Sequence, residues 1–122
     1  MITSLLVEDN VLFRQSFKEA LLTYFPGMQV EEASDGREAL EVVQQRSPQL
    51  IFVDLKLPGE NGLELTKKIK QIDSHAKIVI LTAYAAPEYH AAATEAGALC
   101  FAIKGSLDME HVAGLIRELE IE

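Results

Sequence analysis

The chain has 122 residues, about half of them hydrophobic, with 11 basic and 19 acidic side chains giving a net charge of −8. That length suits one compact domain over residues 1–122, and the acidic balance repels a phosphate backbone, which argues against direct nucleic-acid binding by this domain. No apolar run approaches the roughly 20 residues that span a bilayer, and a single cysteine, Cys100, excludes an intramolecular disulfide or a cysteine-based metal cluster.

The start, Met1-Ile2-Thr3-Ser4-Leu5-Leu6-Val7, lacks the basic region of a secretion signal and soon meets Glu8-Asp9, so the expected location is the cytoplasm. Residues 4–7 form the first of five short apolar runs; the others are 28–31, 50–53, 78–81 and 99–103. Four of them are nearly continuous in Leu, Ile, Val, Phe or Ala, as strands covered on both faces should be. Met28-Gln29-Val30-Glu31 alternates apolar and polar, which predicts an edge strand with one wetter face. Cys100, inside the last run, reads as a small buried hydrophobe rather than a reactive thiol.

Helical patterns fill the gaps. Leu12, Phe13, Phe17, Leu21 and Tyr24 or Phe25 recur at spacings of three or four, with Asp9 or Asn10 as the cap. Asp35-Gly36-Arg37-Glu38 reads as an Asp-led capping box ahead of Ala39, Leu40 and Val43, and Ser47-Pro48 stops that helix. A third helix fits 63–72, carrying Leu63, Leu65 or Thr66, Ile69 and Ile72. A fourth starts near Pro87 and ends at Gly97. The last fits 108–119, with Ser106 as a cap and Val112, Leu115, Ile116 and Leu119 inward. Five βα units in succession predict a doubly wound α/β fold: a parallel sheet with helices on both faces and right-handed crossovers. In such sheets ligands sit at the carboxyl ends of the strands.

Each central strand ends in a distinctive polar residue: the first in Glu8-Asp9, the third in Asp54, the fourth in Thr82 and the fifth in Lys104. Asp9 and Asp54 are two βα units apart, and Asp54, Thr82 and Lys104 follow at one unit each, so all return to the same sheet edge. Carboxylates gathered there repel one another, and a divalent cation relieves the repulsion. An all-oxygen donor set without Cys or His suits Mg²⁺ or Mn²⁺ better than Zn²⁺. Lys104 would neutralise an incoming phosphoryl group, Thr82 would hydrogen-bond one of its oxygens, and Asp54 would be the nucleophile of a phosphoryl transfer. A lone strand-end Asp is usually a cap and a lone Lys a solvated side chain; the convergence of five positions is what carries this reading. His75, His90 and His111 fall on loops or helices without metal-ligand spacing and read as ordinary histidines.

These motifs resemble the receiver domain of two-component response regulators. Leu5-Leu6-Val7-Glu8-Asp9-Asn10 is similar to that family's acidic-pair strand, and Val53-Asp54-Leu55-Lys56-Leu57-Pro58-Gly59-Glu60-Asn61-Gly62 to its phosphoacceptor segment. Val79-Ile80-Leu81-Thr82-Ala83 resembles the switch strand, and Gly97-Ala98-Leu99-Cys100-Phe101-Ala102-Ile103-Lys104 the final one. The resemblance covers essentially the whole chain and implies a flavodoxin-like sheet of strand order 2-1-3-4-5 with five helices. It implies that Asp54 is phosphorylated by a sensor histidine kinase or phosphotransfer protein. Asp9 and Asp54 would bind Mg²⁺ directly, Glu8 through water, and the backbone carbonyl of Lys56 would add a ligand. Lys104 would hold the phosphoryl group, and Thr82 and Phe101 would form a switch pair in which the ring turns inward as the hydroxyl moves toward phosphate. The implied role is signalling rather than enzymatic. The resemblance also implies an output face at roughly 87–119, the last two helices and fifth strand, available for a homodimer or a partner, with transcription regulation among the outputs it allows.

The chain departs from the family pattern at three positions. Gly105 stands where a proline is frequent, Phe101 where a Tyr is common, and Glu8 where an Asp is common. The first leaves the isomer of the Lys104–Gly105 bond open, since a non-proline cis bond costs about 2.5–4 kcal/mol. Lys56 and Tyr84, each two residues past a site residue, either border the phosphoryl group and slow its hydrolysis or are exposed loop residues. A phosphatase of the haloacid dehalogenase type would need a second Asp where Lys56 stands. An FMN protein would need a Ser/Thr/Gly-rich loop where the chain has Glu8-Asp9, and no dinucleotide fingerprint or P-loop occurs. A receiver-like module that has lost phosphate acceptance would not be expected to keep the acidic pair, Asp54, Thr82 and Lys104 together.

Overall fold

The computed structural model describes residues 2–83, 87–106 and 108–121, so Tyr84 lies outside the described residues. The elements follow in the order β1 (Thr3–Val7), α1 (Val11–Tyr24), β2 (Gln29–Ala33), α2 (Gly36–Arg46), β3 (Leu50–Asp54), α3 (Gly62–Ile72), β4 (Lys77–Thr82), α4 (Pro87–Ala96), β5 (Cys100–Ile103) and α5 (Met109–Ile121). All five strands pair in parallel, in the order β2-β1-β3-β4-β5. This is the expected doubly wound, flavodoxin-like sheet. A two-stranded antiparallel ribbon, Lys56–Leu57 with Glu60–Asn61, lies between β3 and α3 and has no counterpart in the sequence reading. Pro58-Gly59 turns it, with Gly59 at φ 75°, a left-handed conformation that glycine adopts without strain.

The apolar runs became strands for the reason their composition suggests. β3 is buried at every position, and β1 and β4 nearly so. On one face of the sheet Leu5, Val7, Ile51, Val53, Ile78 and Ile80 meet residues of α2, α3 and α4, including Val43, Leu65, Ile69 and Ala93. On the other, Leu6, Leu50, Phe52, Val79 and Leu81 meet Phe17 and Leu21 of α1 and Val112 and Ile116 of α5. Truncating one such fully buried Leu to Ala costs about 2–5 kcal/mol, so these layers anchor the strands that carry the sheet edge.

Several local details differ from expectation. β2 runs from Gln29 to Ala33, starting one residue and ending two residues later than predicted; Met28 is buried as the entry to the strand rather than being part of it. β5 is an edge strand whose residues are all half-buried, and Leu99 lies outside it and is exposed. Cys100 is accordingly half-buried, and burial pushes its thiol pKa up, as for an inert packing residue. Leu12, grouped with the inward face of α1, is 80% exposed, and Ile72 of α3 is also exposed.

The caps are specific. Asn10 caps α1, accepting from the Phe13 amide at 3.1 Å, which leaves Asp9 uncommitted to that role. Asp35 caps α2 by accepting from the Glu38 amide at 2.9 Å, but Glu38 reaches back to Ser34 rather than to Asp35. Asn61 caps α3, and the Asp108 carboxylate accepts from the Glu110 amide at the start of α5. Asp108 thus occupies the capping position proposed for Ser106, whose side chain lies outside those described. No cis peptide bond occurs among the described residues, so Lys104–Gly105 is trans, and Lys104–Ser106 forms a single 3-10 turn.

Candidate functional site

Strand register assembles the site. Val7 pairs with Val53, so Glu8 and Asp54, the next residues, emerge side by side. Asp54 pairs with Leu81, and Thr82 with Ile103, so Thr82 and Lys104 follow on the adjacent strands. The carboxyl edge of the sheet therefore collects the residues that whole-unit spacing predicts.

Glu8 is fully buried, yet its polar atoms are satisfied. Its amide continues the β1–β2 pairing to the Ala33 carbonyl at 3.0 Å. Its carboxylate accepts from the Asn10 amide at 3.0 Å and from the Lys104 ammonium. Its carbonyl accepts from Arg14 Nη1 at 2.6 Å, while Arg14 Nε bonds Glu32 at 3.0 Å. Asp54 is buried too; its Oδ2 faces Lys104 Nζ at 3.3 Å, and the Lys56 amide points at Oδ1 from 3.4 Å. Asp9 is exposed at the mouth.

Carboxylate oxygens of Glu8, Asp9 and Asp54 lie within 4.8 Å of one another. Three carboxylates thus share a site in which one ammonium contacts two of them. A hard cation with bonds near 2.1 Å and a tolerance for retained water fits this donor set after small side-chain rotations. His75, His90 and His111 are exposed and take no part in the cluster.

The loop after Asp54 is held by close backbone approach. A Cβ on Gly62 would sit 2.3 Å from the Asp54 carbonyl oxygen, so only glycine fits at the start of α3. The Gly62 amide donates to Leu55 at 2.7 Å, and the Leu55 amide to Leu81 at 2.8 Å. Lys56 itself is exposed.

The two switch candidates are placed on neighbouring strands. Thr82 is buried at the end of β4. Phe101 of β5 is half-buried against the helical layer of α2, α3 and α4, and its ring lies 5.3 Å from that of His90 on α4. Sequence reasoning missed Phe13 and Arg14 as neighbours of the site. Lys104 Nζ lies 4.6 Å from the centroid of the Phe13 ring. Both residues follow a capping Asn directly after the acidic pair, a position that faces the strand ends; that was the available signal.

Comparison with known proteins agrees with this fold. The family model "Response regulator receiver domain" matches residues 4–116. The chain is 32% identical to sporulation initiation phosphotransferase F of Bacillus subtilis over 75% of this chain and 73% of that protein. It is 36% identical to the transcriptional regulatory protein LiaR of the same organism, over 96% of this chain but 55% of LiaR. The chain thus spans only about half the length of several regulators it matches. Among solved structures, a LuxR-family two-component response regulator from Aurantimonas sp. SI85-9A1 superposes with a TM-score of 0.87 at 32% identity, over 98% of this chain and 84% of that one. A receiver domain protein (CheY-like) from Methanospirillum hungatei JF-1 gives 0.86 at 28% identity, over 97% and 92%.

Proposed function

This chain belongs to the receiver domain family of two-component response regulators, and on that premise we propose that it is a single signalling domain, residues 1–122, phosphorylated on Asp54 by a sensor histidine kinase or phosphotransfer protein. The observation that carries the reading is the cluster of Glu8, Asp9 and Asp54 with Lys104 on two of its three carboxylates. An Asp54 carboxylate oxygen forms the new P–O bond as the P–N bond to the donor imidazole breaks. The electron pair leaves with the imidazole nitrogen, which takes up a proton from solvent. Phosphoryl transfer of this kind needs in-line positioning and charge stabilisation more than covalent help.

Asp9 and Asp54 would hold Mg²⁺, or Mn²⁺ in its place, with Glu8 acting through water and the Lys56 carbonyl completing the protein ligands. When bound, the cation neutralises charge on the phosphoryl oxygens and on the attacking carboxylate. Lys104, already in contact with Asp54, would pair with the phosphoryl group. Thr82 donates its hydroxyl to a phosphoryl oxygen, and the room this leaves lets the Phe101 ring turn inward, altering the face formed by α4, β5 and α5. That face would form a homodimer or dock a partner, with transcriptional control as the output, as the names of several relatives suggest. The domain itself would touch neither nucleic acid nor membrane; no helix among the described residues is long and apolar enough to cross one. Its place is the cytoplasm, with its cognate kinase.

Incubation with a small acyl phosphate and Mg²⁺ tests this reading. Uptake of one phosphoryl group is expected, abolished by chelator and by Asp54→Asn. Uptake that survives in chelator or in Asp54→Asn would contradict it.

A further inference from the structure

We propose that Phe13 is a positioning residue for Lys104, holding the ammonium over its ring face so that the lysine keeps its place while the carboxylates change partners. The inference rests on the reading of Asp54 as phosphoacceptor and concerns how that site is kept ready.

The lysine stem is long and flexible, so an ammonium at its tip needs several contacts to stay in one position. Two of the contacts here are the Glu8 and Asp54 carboxylates. Both are also the groups that a cation or a phosphoryl group must engage, so those ion pairs weaken when the site is loaded. The third contact is of a different kind. The Phe13 ring centroid lies 4.6 Å from Lys104 Nζ, within cation–π range. A neutral ring face competes for neither cation nor phosphate, and it attracts the ammonium equally before and after loading.

The ring is itself fixed. Phe13 stacks on Phe17 with centroids 5.8 Å apart and planes 10° apart, and Phe17 meets Phe52 edge-on at 4.9 Å. Phe52 is fully buried in β3, two residues before Asp54. A continuous aromatic ladder therefore runs from the core strand that carries the nucleophile to the lysine opposite it. Helix α1 places Phe13 at its third residue, where the Asn10 side chain caps the Phe13 amide. The same turn that presents Asp9 thus also presents the ring.

The test compares wild type with Phe13→Leu, Phe13→Trp and a series of stepwise fluorinated phenylalanines at position 13, which keep the shape and weaken the ring face. In metal-free protein, the ε-methylene protons of Lys104 should resonate upfield through the ring current, and Phe13→Leu should remove that shift. With Mg²⁺ and a small acyl phosphate, Phe13→Leu should take up phosphoryl about threefold to tenfold more slowly, the range a partly buried cation–π contact supports. Phe13→Trp should restore the rate, and each added fluorine should lower it further. An unchanged ε-methylene shift in Phe13→Leu overturns the proposal. So does a rate that is the same in Phe13→Leu, or one that falls there but ignores fluorination, since either outcome leaves only a packing role. Should wild type take up no phosphoryl group, the reading of the site fails, and the ε-methylene shift still decides whether Phe13 holds Lys104.

Discussion

Lys104 Nζ stands 3.3 Å from Asp54 Oδ2 and also contacts the Glu8 carboxylate, so one ammonium, brought from the far end of the chain, neutralises a group at the end of β3 and another just past β1. Removing it leaves a buried carboxylate facing two more. Lys104→Met should therefore lower stability by about 2–4 kcal/mol in chelator at neutral pH. Mg²⁺ should restore more stability to this variant than it adds to wild type, because a bound ion stabilises by mass action wherever it relieves that repulsion. Thermal melts with and without Mg²⁺ decide; an equal Mg²⁺ increment in both proteins would count against the charge cluster.

Phe101 and His90 are the contact through which a change at Thr82 should reach α4, with rings 5.3 Å apart. Phosphorylation should shift the imidazole resonances of His90 in the wild type. In Thr82→Ala, phosphoryl uptake should persist while the His90 shift is lost. Equal His90 shifts in both proteins would remove Thr82 from the switch.

Glu32 links α1 to β2, and its carboxyl pKa lies below the ordinary value of 4.5, chiefly because Lys18 donates to it at 2.9 Å, with Arg14 adding a second bond and burial opposing. A carboxyl with a depressed folded-state pKa stabilises the fold above its unfolded value, and that contribution disappears as pH falls through the folded one. Glu32→Gln should thus cost about 0.5–1 kcal/mol at neutral pH, a modest figure because the pair is partly solvated. The gap between variant and wild type should close as pH drops below 4.5 through the lowered value. Denaturant unfolding at a series of pH values reads it, and a gap independent of pH would assign the effect to packing.

Gly62 is confined by the Asp54 carbonyl, 2.3 Å from where a Cβ would lie. Gly62→Ala should destabilise the fold by about 1–3 kcal/mol, the usual cost of an unaccommodated methyl, and should slow phosphoryl uptake by displacing the Asp54 backbone. Melting and uptake rates measured together check this. A stable variant with normal uptake would mean that the start of α3 yields freely.

The sequence made the central sheet legible because runs such as Leu50-Ile51-Phe52-Val53 have no polar face to expose and end abruptly in Asp54. The convergence of Glu8, Asp9, Asp54, Thr82 and Lys104 followed from strand ends and unit spacing. Strand order came from family resemblance, since periodicity does not say which strands are neighbours. What was illegible depended on tertiary geometry. Met28 alternates like a strand residue yet packs as the entry to β2. Leu12 has helical spacing but points to solvent. The ribbon at Lys56–Leu57 and Glu60–Asn61 is too short to show a pattern. Phe13 looks like one more apolar helix residue until Lys104 arrives across its ring.

The central claim is that Asp54 is the residue that becomes an acyl phosphate, and borohydride cleavage of the phosphorylated protein reads it most directly. Reduction of the acyl phosphate followed by peptide mass mapping should find homoserine at position 54 and an unaltered Asp9. Homoserine elsewhere, or phosphoryl uptake with no reducible acyl phosphate at position 54, would contradict the account.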